Sequence, residues 1–190
     1  WGPGGLLWSN EHRLLTGPSF GSIDAFLRER PSRDAPWAFW LGAQQTHRVF
    51  GGDCWKCAGR PAGADDEWVR WGAPEWLPDV PRVRADVHAH SLCIECFDKS
   101  VGDAIGTLRR AAQYERTIVV MTSDHGVPFP RAKGSLYDAG TKVGLVVRAG
   151  REVSRSWAGR APPHAVCRAL VSTIDLAPTI LEAAGLSIPS

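Results

Sequence analysis

The chain has 190 residues, 44% hydrophobic and 22% charged, with a formal net charge of +2, ordinary values for one globular domain with its own core. So small a charge gives no electrostatic case for nucleic acid or an anionic membrane surface as partner. No apolar run approaches the ~20 residues of a membrane span.

The opening, "WGPGGLLWSN", has neither the basic start nor the sustained apolar centre of a signal peptide. Met121 is the only methionine, so the chain is expected to be a piece of a longer one, with residues 1–19 a poorly defined lead-in. Residues 20–30, "FGSIDAFLRER", place Phe20, Ile23, Phe26 and Leu27 on one face of an amphipathic helix. After the turn "RPSRDAP" comes "WAFWLGA" (37–43), short and wholly apolar, which predicts a buried strand. A long irregular segment, 44–82, follows, rich in Gly, Pro, Asp and Trp. Loops of this length are usually functional or disordered, and its tryptophans point to order. Eight of the nine Trp stand before the next strand, six of them at 37, 40, 55, 68, 71 and 76. Such rings fill cores more often than they line sugar-binding clefts.

Residues 83–112 predict a long helix, with Val87, Ile94, Phe97, Val101, Ile105 and Leu108 at helical spacing. "RTIVVMTS" and "GLVVRA" (144–149) read as strands. "STIDLAPTILEAAG" (172–185) reads as a helix that Pro178 starts or kinks, with Gly185 as its C-terminal cap. Short apolar strands alternating with helices predict an α/β fold whose mostly parallel sheet is covered on both faces. Ligands of such sheets bind beyond the carboxyl ends of the strands.

Five cysteines include two spaced pairs, Cys54/Cys57 in "CWKC" and Cys93/Cys96 in "CIEC". Paired cysteines raise the possibility of zinc, but the gap between the pairs exceeds that of a zinc ribbon and the second pair falls within a helical pattern. The order of expectation is core or loop thiols, then a disulfide, then zinc. Cys167 reads most simply as a small buried residue.

Two strand ends carry chemistry. "QQTHR" after 37–43 delivers His47, and "SDHG" after 117–122 delivers Asp124 and His125. A carboxylate and an imidazole side by side reach one ion only where the backbone turns sharply, a turn that Gly126 permits. An Asp capping the next segment beside an incidental His is the plain alternative. Lys133 then follows on a loop held by Pro128 and Pro130, a compact cation for an anionic group. His47 suits hydrogen bonding to the same anion or proton transfer; a structural loop histidine is equally expected on local grounds.

These residues together resemble the sulfatase family. The stretch "TIVVMTSDHGVPFPRAKGSLYDAGT" (117–141) is similar to the family's T-x-V-x-x-T-S-D-N/H-G strand end, and "PFPRAKGSLYDAGT" is closest to the branch of heparan N-sulfatases (sulfamidases) and their bacterial relatives. "PWAFWLGAQQTHR" resembles the family's PFFLW-x-x-x-x-x-PH element with Thr46 in place of Pro. "VRADVHAHSLCIECFDKSVGDAIGTLRRA", with Asp98, resembles its helix before the metal strand, and "LVSTIDLAPTILEAAGL" its V-S-x-x-D-L-x-P-T helix. The resemblance implies an alkaline-phosphatase-like α/β/α sandwich, incomplete at its N-terminus, with residues 44–82 on the substrate side. It implies hydrolysis of sulfate esters or sulfamates, with a sulfated small molecule or glycan as partner. By the same resemblance Asp124 and His125 hold a divalent metal, Lys133 contacts the sulfate and His47 binds it. Calcium is the expected ion, ahead of Mg2+, Mn2+ or Zn2+, although calcium prefers oxygen ligands and His125 departs from that. A lysosomal, secreted or periplasmic location is suggested by the resemblance alone.

The family's nucleophile, a formylglycine made from Cys in Cys-x-Pro-Ser-Arg, has no counterpart here. "ERPSR" (29–33) carries Glu29 where the Cys belongs, and "HRLLTG" (12–17) lacks a preceding Cys. The family's Asp-Asp and Gly-Lys elements are also missing. The chain is therefore expected to be the later portion of such a domain, without activity by itself. The alternatives are another hydrolase or mutase of the alkaline-phosphatase superfamily acting on phosphate, or a non-catalytic module, either a pseudo-sulfatase or a fold stapled by zinc through the paired cysteines.

Overall fold

The computed structural model describes residues 21–30, 32, 34–48, 54, 57, 59, 72–153 and 165–188. The lead-in, Trp55, Trp68, Trp71 and most of the 49–71 segment lie outside them. The chain divides into two compact units, residues 1–112 and 113–190.

In the first unit, helix α1 spans Ile23–Glu29. Ser22 caps it by accepting a hydrogen bond from the Ala25 N–H at 3.1 Å, relieving one donor that a helix start leaves without a partner. Asp24 pairs with Arg28 one turn on. Phe26 is fully buried, a contribution of about 1.5–3 kcal/mol, and meets Trp37 edge-on at 5.6 Å and Phe39 at 5.1 Å. That contact explains a departure from expectation. Residues 37–43 form no strand; Trp37 and Phe39 pack on α1, while Trp40 and Leu41 are exposed.

Helix α2 runs from Pro81 to Arg110, about 45 Å at 1.5 Å per residue. Pro81 occupies the first turn, where its missing N–H costs nothing, and Asp79 just before it accepts from Ala73 N–H and pairs with Arg84. Arg109 and Arg110 close the helix, where cations suit the dipole. Beyond it, Ala112 adopts φ 54°, the left-handed conformation commonly taken by glycine after a helix. The buried face holds His90, Leu92, Cys93, Cys96, Thr107 and Leu108. Ile94, expected on that face, is 46% exposed, because the face turns toward the segment carrying Gln45 and Cys54. Cys54 forms a disulfide with Cys93, Cα atoms 5.0 Å apart. The Cys96 thiol donates to the Cys54 carbonyl at 3.2 Å and Gln45 Nε2 donates to Ser100 Oγ at 3.2 Å. Arg48 pairs with Asp86. The expectation of core or loop thiols ahead of a disulfide is thereby corrected for Cys54 and Cys93.

In the second unit, strand β1, Ile118–Thr122, pairs antiparallel with β2, Leu145–Ala149, in the register Ile118↔Ala149 to Thr122↔Leu145. The expected mostly parallel sheet is not what the described residues form. The connection between the strands contains only the single-turn helix α3, Asp138–Thr141, and a parallel return needs a crossover of a dozen or more residues, usually a full helix. Where the sheet ends, Arg148 pairs with Glu115 at 3.0 Å and stacks over Tyr114 at 3.5 Å. The Arg151 N–H and the cations of Arg148 and Arg151 hold the Glu115 carboxyl below its usual range. Gly150 allows the close approach, since a Cβ there would stand 2.2 Å from the Glu115 carbonyl oxygen.

Helix α4, Leu176–Ala183, is preceded by one 3-10 turn, Thr173–Asp175, closed by a capping box between Ser172 and Asp175. Pro178 falls in the first turn, as a helix start tolerates. At the other end Gly185, at φ 70°, gives its N–H to Glu182 O and Leu186 its N–H to Leu181 O, both at 2.9 Å, a Schellman closure. Cys167, expected to be buried, is exposed.

Candidate functional site

The loop that leaves β1 is built on backbone contacts. Gly126 N–H donates to Gly140 O at 2.9 Å and Lys133 N–H to Val127 O at 3.1 Å. Inside the loop Phe129 N–H bonds Val127 O, Ala132 N–H bonds Phe129 O, and Ser135 bonds Ala132 O through both N–H and hydroxyl. Phe129 and Ala132 are buried beneath it. Glycine is required at both ends of the first bond for lack of room. A Cβ on Gly126 would lie 1.8 Å from Ala139 O, and one on Gly140 2.3 Å from Ala132 O. The expected role of Gly126 therefore changes: its φ is not positive, and what it permits is close packing of two backbone segments.

Asp124 and His125 share the turn where this loop begins. The His125 ring is about one-third exposed and the Asp124 carboxylate 84% exposed, with Nε2 of the ring 3.6 Å from Oδ2. The His125 Nδ1 lies 2.8 Å from the Gly126 carbonyl. A carbonyl only accepts, so Nδ1 carries the proton, and in the neutral ring the Nε2 lone pair lies on the Asp124 side. Ser123 Oγ fixes the turn by donating to His125 O at 2.7 Å. A carboxylate oxygen and an imidazole nitrogen thus face the same edge, which fits part of a divalent-cation site in donor chemistry. They offer two donors; among the described residues no group of three or more His, Cys, Asp or Glu is arranged to hold a metal.

Lys133 is exposed on the same loop, between two left-handed residues, Arg131 at φ 62° and Gly134 at φ 76°. A left-handed conformation costs a non-glycine residue roughly 1–2 kcal/mol, and such strain clusters at functional loops. Arg131, whose guanidinium stands 5.2 Å above the Tyr137 ring, is a second cation that sequence reasoning passed over; the signal was two basic residues within "PRAKG". His47 is exposed on a turn in which its N–H bonds Gln44 O at 2.9 Å. It belongs to the first unit, whereas Asp124, His125 and Lys133 belong to the second.

The strand-end Asp-His turn, its packed glycine loop and the basic residues on that loop are accompanied by a match to the sulfatase family model over residues 11–186. The chain belongs to the sulfatase family. It is 36% identical over 117 residues to human N-sulphoglucosamine sulphohydrolase, a stretch covering 62% of this chain and 22% of that protein. It is 29% identical over 117 residues to an ulvan-active sulfatase of Formosa agariphila, covering 62% of this chain and 18% of that one. The chain thus spans about a fifth of the length of these relatives. A phosphonate monoester hydrolase from Silicibacter pomeroyi superposes with a TM-score of 0.48 at 23% identity, over 88% of this chain and 39% of that one. No helix among the described residues is long and apolar enough to cross a membrane.

Proposed function

We propose that the chain is the later part of a hydrolase that cleaves sulfate esters or sulfamates of a sulfated sugar, within an alkaline-phosphatase-like sandwich completed by residues outside it. Family membership supports the reaction class, and the sulphoglucosamine in the name of the human relative supports the sugar. The observation that carries the site is the Gly126–Gly140 closure, which folds one loop carrying Asp124, His125 and Lys133. In this reading Asp124 and His125 contribute two ligands to a divalent cation, calcium by family precedent. When bound, that cation would supply charge stabilisation to the sulfuryl oxygens. Lys133 holds one of those oxygens by its ammonium. The attacking group comes from outside this chain, which contains no Cys-x-Pro-Ser-Arg motif.

Calcium titration by calorimetry, with Asp124→Ala beside the wild type, tests the ligand assignment. The reading predicts weakened or lost binding in the variant. Calcium affinity unchanged by Asp124→Ala removes Asp124 from the metal site.

A further inference from the structure

The loop that carries Lys133 holds a second cation with no part in the chemistry above. Ala132, between Arg131 and Lys133, is fully buried. Its N–H donates to Phe129 O at 3.1 Å, and its carbonyl accepts from the Ser135 N–H at 2.9 Å and the Ser135 hydroxyl at 2.8 Å. With Ala132 pinned inward, the residues on either side of it, Arg131 and Lys133, are both exposed. Two like charges so close repel one another. No carboxylate among the described residues pairs with either cation, although Asp124 and Asp138 belong to the same connection between the strands. Arg131 is also held in place. Its backbone takes φ 62°, a conformation that favours glycine, and its guanidinium stands 5.2 Å from the centre of the Tyr137 ring, within range of cation–π attraction. Tyr137 is itself 58% exposed, so the ring orients the guanidinium without burying it.

We infer that Arg131 is a specificity-determining residue that binds a second anionic group of the substrate, a carboxylate or a further sulfate, beside the sulfate held by Lys133, an assignment that rests on the reading of Lys133 given above. The guanidinium is a planar fork of N–H donors, and such a fork matches two oxygens of one carboxylate or sulfate. The Lys133 ammonium is a point charge that suits a single oxygen. Two cations on one outward face of a hydrogen-bonded loop are balanced by two anions, so the substrate class narrows to a sulfated sugar with a second negative group. A solvated arginine needs neither a left-handed backbone nor an aromatic platform, and strain of this kind gathers at ligand-binding loops. Arg131 takes no part in breaking the bond. It adds binding that the ground state and the transition state share, so its loss falls on KM rather than on kcat.

The experiment uses the longer protein proposed above and three sugars: a glucosamine sulfated on nitrogen alone, one sulfated on nitrogen and on oxygen, and a disaccharide of the first with a uronic acid. The readout is the preference, kcat/KM for each doubly charged sugar divided by kcat/KM for the singly charged one. Arg131→Ala should lower the preference for at least one doubly charged sugar by about tenfold or more, through KM. A fall confined to the disulfated sugar identifies the second group as a sulfate, and a fall confined to the uronic acid sugar identifies it as a carboxylate. Arg131→Gly takes φ 62° without steric cost and should show the same fall, which separates loss of the guanidinium from loss of loop shape. Arg131→Lys keeps the charge without the fork and should restore part of the preference. An unchanged preference in both Arg131→Ala and Arg131→Gly, or a fall in kcat/KM shared equally by all three sugars, overturns the inference and leaves the sulfatase reading standing. A wild-type protein that hydrolyses none of the three removes that reading and this inference together.

Discussion

The two units of this chain are held together by different means. Around α2, side chains do the work: Phe26, Leu92, Cys93, Cys96 and Leu108 are buried and one disulfide ties in a distant segment. Among the described residues beyond 113 the buried apolar side chains reduce to Phe129 and Ala132, while Leu145, Val146 and Val147 of β2 are 37%, 53% and 44% exposed and α4 buries none. What fixes the loop that carries Asp124, His125 and Lys133 is backbone hydrogen bonding through glycines too close to a neighbour to bear a side chain. A candidate site can therefore be precise where the hydrophobic core is thin.

The contrast can be broken from either side. On the α2 side, Leu92→Ala should cost about 2–5 kcal/mol by leaving a cavity, read as a lower urea midpoint at unchanged slope. Opening the Cys54–Cys93 disulfide in metal-free buffer should cost about 2–4 kcal/mol, because it frees a long loop in the unfolded chain; the same denaturation series checks it. On the loop side, Gly126→Ala forces a Cβ against Ala139 O and should cost about 1–3 kcal/mol. Its effect should concentrate in faster amide exchange over residues 124–140, leaving α2 protection unchanged. Uniform loss of protection across both units would contradict the division drawn here.

The smallest effect concerns pH. Asp79 is held at a pKa of about 2 by Arg84 and the Ala73 N–H. A carboxyl depressed on folding adds stability above its unfolded pKa, about 3.9, and loses it as pH falls through the folded value. Asp79→Asn should therefore be slightly less stable than wild type at neutral pH, and the gap should close between about pH 4 and pH 2. For so exposed a pair it should be small. A gap that widens in acid would show that Asp79 is not depressed by its partners.

Local pattern revealed α1, α2, α4 and both strands, though not the single-turn α3, since each of these is written in periodicity, capping residues and turn chemistry within one stretch. Ile23–Glu29, Pro81–Arg110 and Leu176–Ala183 fall within two to four residues of their expected bounds, and Gly185 caps its helix as expected. What was not legible depended on distant partners. The apolar run 37–43 reads as a strand until Phe26 claims Trp37 and Phe39. Ile94 reads as core until the Cys54 bond turns Cys93 inward. The direction of strand pairing was hidden because it depends on how residues 123–144 fold back. Asp124, His125 and Lys133 were visible as chemistry at a strand end, but the cause of their arrangement, two glycines in backbone contact, was not.

The most direct test of the central claim is sulfate release from a sulfated glucosamine by the longer protein proposed above, comparing wild type with Lys133→Ala. Losing a cation that stabilises charge in the transition state should lower kcat by about 10²–10³ while the variant keeps its thermal midpoint. Wild-type turnover in a folded Lys133→Ala protein would contradict the assignment of this loop as the sulfate-binding element.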